Sequence, residues 1–225
     1  MTHAAYLSLN QPLDMDTTLN SGQAFRWQTD GKGSFNTVLG QNLVRLHRSA
    51  EGIYIESSPV PPQNLISFMA DYFRLDDDLP QIQSTLSKDA HVAAGIASYP
   101  GLRLLRQDPW ETLAAFILSS VSNIPRITRT IELIADSFGT PVKLNGLSRN
   151  TFPSPECIVD AGEESLRRLG CGYRAKYLVG AAALISDGVV PIGELRGLEY
   201  EEAEKILLSL PGVGRKVADC VMLFA

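Results

Sequence analysis

Apolar positions along this chain change period once, and the change divides it into two parts. From Tyr6 to about Ser57 they alternate or run in short blocks: Ala24 to Gln28, Ser34 to Leu39, Leu43 to His47 and Ile53 to Glu56. Alternation puts successive side chains on opposite faces of a strand. Asp30-Gly31-Lys32-Gly33, Gly40-Gln41-Asn42 and Ala50-Glu51-Gly52 separate the blocks and have hairpin-turn compositions. A small antiparallel meander is therefore predicted, ended by Pro59-Val60-Pro61-Pro62. Asn64 to Phe73 then reads as a helix with Leu65, Phe68, Met69 and Tyr72 on one face. Asp76-Asp77-Asp78 suits the start of the next helix, where acids are favourable, although three acids could also hold a cation. Two short helices lead on to Pro100-Gly101.

From Asp108 the pattern is wholly helical. Asp108-Pro109-Trp110-Glu111 combines an N-cap acid, a proline at the first position and an early glutamate. Leu113, Phe116, Ile117 and Ser120 follow on one face. Asn123-Ile124-Pro125 opens a second helix, which runs to Phe138 and stops at Gly139. Further helices are expected over Ser154 to Ala161, Glu163 to Leu169, Arg174 to Ile185 and Tyr200 to Leu208. The predicted class is α+β: an N-terminal antiparallel β-sheet part with short helices over 1–107, then an α-helical part over 108–225 ending in a helix-hairpin-helix.

In that last motif Ala203, Ile206, Leu207 and Leu210 form one helical face, Pro211 ends the helix, and Gly212 and Gly214 turn the chain without a Cβ in the way. A second helix starts between Val213 and Arg215. Its unpaired N–H groups and its dipole favour an anion, so a phosphate could approach Gly212, Gly214 and Val217. A plain helical hairpin, with glycines serving only the turn, fits the same letters. Lys216 is the odd residue. A cation in the first turn of a helix is electrostatically misplaced, and that field, with partial burial, favours the neutral amine, the form able to attack and make a Schiff base. Cys220, four residues on, faces the same side. A solvated lysine that tolerates its position is the alternative.

The chain has 225 residues, 44% of them hydrophobic, which suffices for a folded core. Net charge is −5, whereas nucleic-acid binding usually accompanies a basic excess. The basic residues that could serve locally, Arg126, Arg129, Arg167, Arg168, Arg174, Lys176, Arg215 and Lys216, all lie in the second half. Cys157, Cys171 and Cys220 are an odd number with no C-x-x-C pair, which argues against disulfides or a metal site and for a reducing, intracellular setting. No signal peptide or membrane-spanning run is read.

Leu210-Pro211-Gly212-Val213-Gly214-Arg215-Lys216-Val217-Ala218-Asp219-Cys220 resembles the helix-hairpin-helix of base-excision DNA glycosylases, and most closely that of the eukaryotic-type 8-oxoguanine DNA glycosylases. The resemblance runs from about Leu7 to Ala225 with its motifs in the family's order. It implies that Lys216 is the nucleophile of a combined glycosylase and lyase. Ser21-Gly22-Gln23-Ala24-Phe25-Arg26-Trp27 is similar to the family's SGQ-x-FRW, which implies that the Gly22 carbonyl accepts from the N7 hydrogen that the oxidised base has and guanine lacks; Cys220 would line the same pocket. Gln107-Asp108-Pro109, Ser119-Ser120, Asn123-Ile124 and Arg126-Ile127-Thr128 match the segment that enters the gap left by a flipped nucleotide. Asn123 and Arg126 would meet the opposite base. Gly170-Cys171-Gly172-Tyr173-Arg174-Ala175-Lys176-Tyr177 is similar to GLGYRARY, with Tyr173 as a wedge and Arg174 reaching the opposite base.

Two departures stand out. Where the family has three consecutive asparagines, this chain has Val121-Ser122-Asn123. The resemblance puts Val121 where an asparagine fills the void and contacts the opposite cytosine. Valine fills space without donating a hydrogen bond, so the family's opposite-base selectivity does not carry over with it. The family's aspartate, in a Pro-Val-Asp-type turn, belongs downstream of the second hairpin helix, and the chain ends at Ala225 before reaching it; Asp219 shares a helix with Lys216 and does not replace it. The expectation is a chain cut off inside its last motif that by itself excises little. The resemblance further implies damaged duplex DNA as partner, no cofactor, no metal, no membrane, a monomer, and an intracellular place of work, nuclear in a eukaryote and nucleoid-associated in a prokaryote. A non-catalytic hairpin module and a glycosylase for another lesion are the alternatives.

Overall fold

A computed structural model describes residues 4–31, 33–50 and 52–225. Met1 to His3, and Lys32 and Glu51 in two of the expected turns, lie outside the described residues. The chain divides into two units. The first takes in Met1–Thr37, Asn42–Arg106 and Lys143–Leu147; the second takes in Val38–Gln41, Gln107–Val142 and Ser148–Ala225.

The first unit is built round a five-stranded sheet. Its strands are β1 (Ala5–Ser8), β2 (Gln28–Thr29), β3 (Ser34–Leu39), β4 (Asn42–Arg48) and β5 (Gly52–Ser58), in the order β1-β5-β4-β3-β2. Strands β1 and β4 flank β5 antiparallel, with Leu7 opposite Ile53 and Leu46 opposite Ile55. These four side chains are buried with Phe35, Leu43 and Val44. Helix α1 (Met15–Asn20) joins β1 to β2, where strand alone was expected. Asp14 caps it by accepting from the Thr17 N–H at 3.1 Å. A six-residue helix is too short to display a period, so the expectation missed it.

Ala24 to Trp27 are not strand, and only Gln28 of the expected block pairs. The Gln23 amide fixes the segment instead. It is buried, donates to the carbonyls of Thr18 (3.1 Å) and Arg103 (2.9 Å) and to Ser21 Oγ (3.0 Å), and accepts from the Leu105 N–H (2.8 Å). Side-chain bonds to the backbone here outcompete a ladder.

Helices α2 (Ile66–Tyr72), α3 (Leu79–Leu86) and α4 (Ala90–Ser98) complete this unit. Leu65, Met69 and Tyr72 are buried as expected, but Phe68 is exposed. Asp78 caps α3, accepting from the Gln81 N–H at 3.0 Å, while Asp76 is bound by Arg106 at 2.7 Å. The acid run thus serves a helix start and an ion pair.

The second unit is helical. Helix α5 (Pro109–Leu118) is capped by Asp108 and α6 (Ile124–Phe138) by Asn123, with Pro109 and Pro125 in their first turns. A hairpin that the expectation missed, β6 (Pro141–Leu144) and β7 (Leu147–Asn150), follows α6, with its residues Lys143–Leu147 belonging to the first unit. Asn145 and Gly146 at its tip both have positive φ, +48° and +84°, the requirement of a type I′ turn. Asn-Gly between apolar residues was the signal for it. Helix α7 (Pro155–Leu166) is interrupted at Gly162, φ +72°, where the expected gap between two helices falls. A wider turn, Arg167–Cys171, leads to α8 (Ala175–Ser186), and α9 (Tyr200–Leu208) and α10 (Arg215–Phe224) end the chain. Helix α10 packs on α5 and α9. Among the described residues no helix is long and apolar enough to cross a membrane.

Candidate active site

The loop between α9 and α10 is shaped by what its glycines lack. Gly212 has φ +79°, and a Cβ there would lie 2.5 Å from Tyr177 Cβ and 2.6 Å from Tyr177 Cγ. Gly180 does the same service from the other side: its own Cβ would sit 2.9 Å from Pro211 Cγ. The hairpin therefore seats on α8 by backbone-close contact that any larger residue would prevent. Gly214 differs. It caps α10 in an extended conformation, no side chain caps that helix, and a Cβ at Gly214 would meet open space.

At this bare end the N–H groups of Gly214, Arg215 and Lys216 have no acceptor among the described residues. They form a ready anion site, strengthened by the helix dipole. Val217 does not belong to it, contrary to expectation. Its N–H bonds the Gly214 carbonyl at 2.9 Å and its side chain is buried. The first helical turn closes on itself there, leaving three outward donors rather than four.

Lys216 is exposed, not partly buried as expected. Its ammonium donates to Ser119 Oγ at 3.1 Å and lies 5.7 Å from the centre of the Phe116 ring. Ser119 is the C-cap of α5, and its hydroxyl donates to the Phe116 carbonyl at 2.7 Å. Two helix ends of opposite polarity thus meet at one amine, the N-terminus of its own helix opposing the cation and the C-terminus of α5 favouring it. Phe116 is backed by Phe224, stacked at 5.7 Å. Cys220 is half-buried one turn along α10, and burial pushes its thiol pKa up against the field of Lys216. Asp219 is on the same helix and accepts from the Tyr200 hydroxyl at 2.9 Å, which raises the Tyr200 pKa.

The turn after α5 carries the second group of expected residues. Asn123 is exposed, and its side-chain oxygen accepts from the Arg126 N–H at 3.0 Å, so its carbonyl oxygen is spent on the cap. Arg126 is exposed in the first turn of α6. Tyr173 is 45% exposed, edge-on to Tyr177. Arg174 departs from expectation: it is 4% exposed and does not project from the surface. Its Nε donates to the Ser120 carbonyl at 2.7 Å, and Nη2 donates to the same oxygen and to the Val121 carbonyl at 2.8 Å.

Gly22 lies in the first unit, with φ +84° in the turn that the Gln23 amide anchors. The other expected residues lie in the second unit. Three residues now given a task were not singled out for it: Ser119 as the acceptor for Lys216, Tyr177 as the seat of Gly212, and Gln23 as the anchor of Gly22. Only Gln23 had a local signal, its place beside the glycine; the other two contacts join residues far apart in sequence.

Known proteins resemble this chain over most of its length. A family model for the N-terminal domain of 8-oxoguanine DNA glycosylase matches residues 6–113. The N-glycosylase/DNA lyase of Saccharomyces cerevisiae is 34% identical over 241 residues, which cover 96% of this chain and 64% of that protein. The probable N-glycosylase/DNA lyase of Methanothermobacter thermautotrophicus is 30% identical, covering 94% of this chain and 75% of its own length. The solved structure of MBOgg1 in complex with a low-affinity DNA ligand superposes with a TM-score of 0.93 at 35% identity, over 99% of this chain and 76% of that one. The chain thus spans just under two thirds of the yeast protein it matches.

Proposed function

The chain belongs to the 8-oxoguanine DNA glycosylase/lyase family, and on that premise we propose that the protein excises 8-oxoguanine from duplex DNA and then nicks the strand, with Lys216 as the attacking amine. The observation that carries the reading is the Lys216 ammonium itself. It is exposed, tethered by one hydroxyl, and adjacent to three unpaired N–H groups suited to a phosphate.

The neutral amine attacks C1′ of the extruded nucleotide; the N-glycosidic bond breaks and the base leaves with the bonding pair, taking up a proton. Loss of the amine's remaining proton to the ring oxygen opens the sugar to an imine. A C2′ proton is then removed, the C3′–O bond breaks, and the 3′ phosphate departs. Water hydrolyses the imine and returns the lysine. Around this step, Gly212 and Gly214 admit a phosphate, the Gly22 carbonyl accepts from the N7 hydrogen of the oxidised base, and Asn123, Arg126 and Tyr173 meet the vacated duplex; Cys220 stands one helical turn from the attacking amine. The partner is damaged double-stranded DNA, met by a monomer inside the cell, and the residues named need no cofactor.

Borohydride reduction tests the reading, because it fixes an imine as a stable amine. Joined to a segment that supplies the family's aspartate turn, the chain is expected to give, on an 8-oxoguanine duplex, a covalent protein–DNA adduct that Lys216→Ala abolishes; without that segment little adduct is expected. Binding of the duplex with no adduct in the joined protein would mean a non-catalytic hairpin module, and an adduct formed only on another lesion would reassign the substrate.

A further inference from the structure

A lysine on a helix surface carries its amine at the end of a flexible four-carbon stem, and ordering that stem costs rotamer freedom. Lys216 is exposed on α10, yet two contacts restrain it, and both lead back to Phe116. Nζ lies 5.7 Å from the centre of the Phe116 ring, within the range at which the negative face of a ring attracts a cation. Nζ also donates to Ser119 Oγ at 3.1 Å. That hydroxyl is itself aimed by donating to the Phe116 carbonyl at 2.7 Å, which leaves its lone pairs for the ammonium. Phe116 thus grips the amine through its ring and, by way of one hydroxyl, through its backbone.

The ring is fixed in turn. It is 5% exposed and stacks on Phe224, with centres 5.7 Å apart and planes 13° from parallel. Lys216, Cys220 and Phe224 follow one another at four-residue spacing, so a single stripe of α10 carries both the amine and the ring that backs its support. Phe224 is held at the end of α10, where its carbonyl accepts from the Gln107 N–H at 2.9 Å.

We infer that Phe116 and Phe224 are positioning residues for the attacking amine: the stacked pair holds the Lys216 ammonium at one place beside Ser119, so that attack starts from an ordered side chain. This rests on the reading of Lys216 as the nucleophile. Neither ring touches the sugar. A cation over a solvent-facing ring favours the held position by about two- to fivefold, and ordering an attacking group ahead of the reaction adds to the rate without tightening binding. An aliphatic side chain fills much of the same space but presents no π-face, so leucine separates positioning from packing.

Borohydride trapping on a duplex with a preformed abasic site tests the inference, because it isolates the amine step from base release; the protein is the chain joined to the segment with the aspartate turn. At saturating duplex, Phe116→Leu should slow imine formation by about fivefold or more while Kd for the duplex moves by less than about twofold. Phe224→Leu, at a half-buried position that leaves Phe116 in place, should slow it by about two- to fivefold, and Phe224→Tyr, which keeps a ring, should recover most of that loss. In DNA-free protein with carbon-13-labelled lysine, the Lys216 side-chain signals, identified by their loss in Lys216→Ala, should lie upfield under the ring and move toward free-lysine positions in both leucine variants. Full rate in the leucine variants, Phe224→Tyr no faster than Phe224→Leu, or Lys216 signals that either leucine variant leaves unmoved would each overturn it. Where Phe116→Leu does not fold, the Phe224 pair and its spectra decide alone. A wild-type joined protein that gives no adduct on the abasic duplex defeats the nucleophile reading and this inference together; a normal adduct with indifference to both rings defeats this inference alone.

Discussion

Gly212 and Gly214 are two residues apart, yet replacing each by alanine should do opposite things. At Gly212 the new Cβ meets two penalties. Left-handed backbone costs an L-residue roughly 1–2 kcal/mol. The collision with Tyr177, at 2.5 Å from Cβ and 2.6 Å from Cγ, adds an overpacking cost of roughly 1–3 kcal/mol. Tyr177 Cβ is fixed to the backbone of α8, so rotation about χ1 gives no relief, and the sum is about 2–5 kcal/mol. At Gly214 the Cβ enters open space from an extended backbone, and the loss is that of a weaker N-cap, about 1 kcal/mol or less. There the damage falls on DNA, because a methyl group now stands between a phosphate and the free N–H groups. Urea unfolding and fluorescence anisotropy on a lesion duplex separate the two: Gly212→Ala should lower the midpoint, and Gly214→Ala should weaken binding several-fold with the midpoint nearly kept. A Gly212→Ala loss no larger than that of Gly214→Ala would refute the reasoning.

Gln23→Leu should cost about 2–4 kcal/mol in urea unfolding, since the Leu105 N–H and two carbonyls lose their partner in a buried site. Gln23→Glu should recover little, because a carboxylate would face the carbonyls of Thr18 and Arg103. Burial pushes the Cys171 thiol up to about 11, so an alkylating reagent near pH 8 should modify exposed Cys157 and spare Cys171 until the protein unfolds. The same shift has a stability consequence. Above about pH 8.5 the unfolded thiol ionises while the folded one stays neutral, so stability should fall by about 3 kcal/mol as pH rises to 11; a Cys171→Ala protein should lack that slope.

Features of this protein that reside in backbone chemistry were open to reading from its letters. Pro211, Gly212 and Gly214 impose a hairpin, Asp108 and Asn123 impose helix starts, and the α+β order follows from the change of period. Features that depend on distant partners were not. Arg174 stands among cations in the sequence and looks like surface, yet folding supplies two carbonyls 53 and 54 residues away and draws it inside. Ala24 to Trp27 alternate like a strand, but Gln23 ties the segment to Arg103 and Leu105 first. Lys216 and Ser119 are separated by 97 residues, and no local pattern joins them. Backbone strain escapes the letters too: nothing in Val121-Ser122-Asn123 tells that the valine adopts a left-handed φ of +48°.

The central claim is that one amine attacks the sugar, and mass spectrometry of the borohydride-fixed complex addresses it most directly. After digestion with protease and nuclease, the deoxyribose remnant should be carried by the peptide containing Lys216 and by no other. A remnant on a different lysine, or on the α-amino group, would contradict the account.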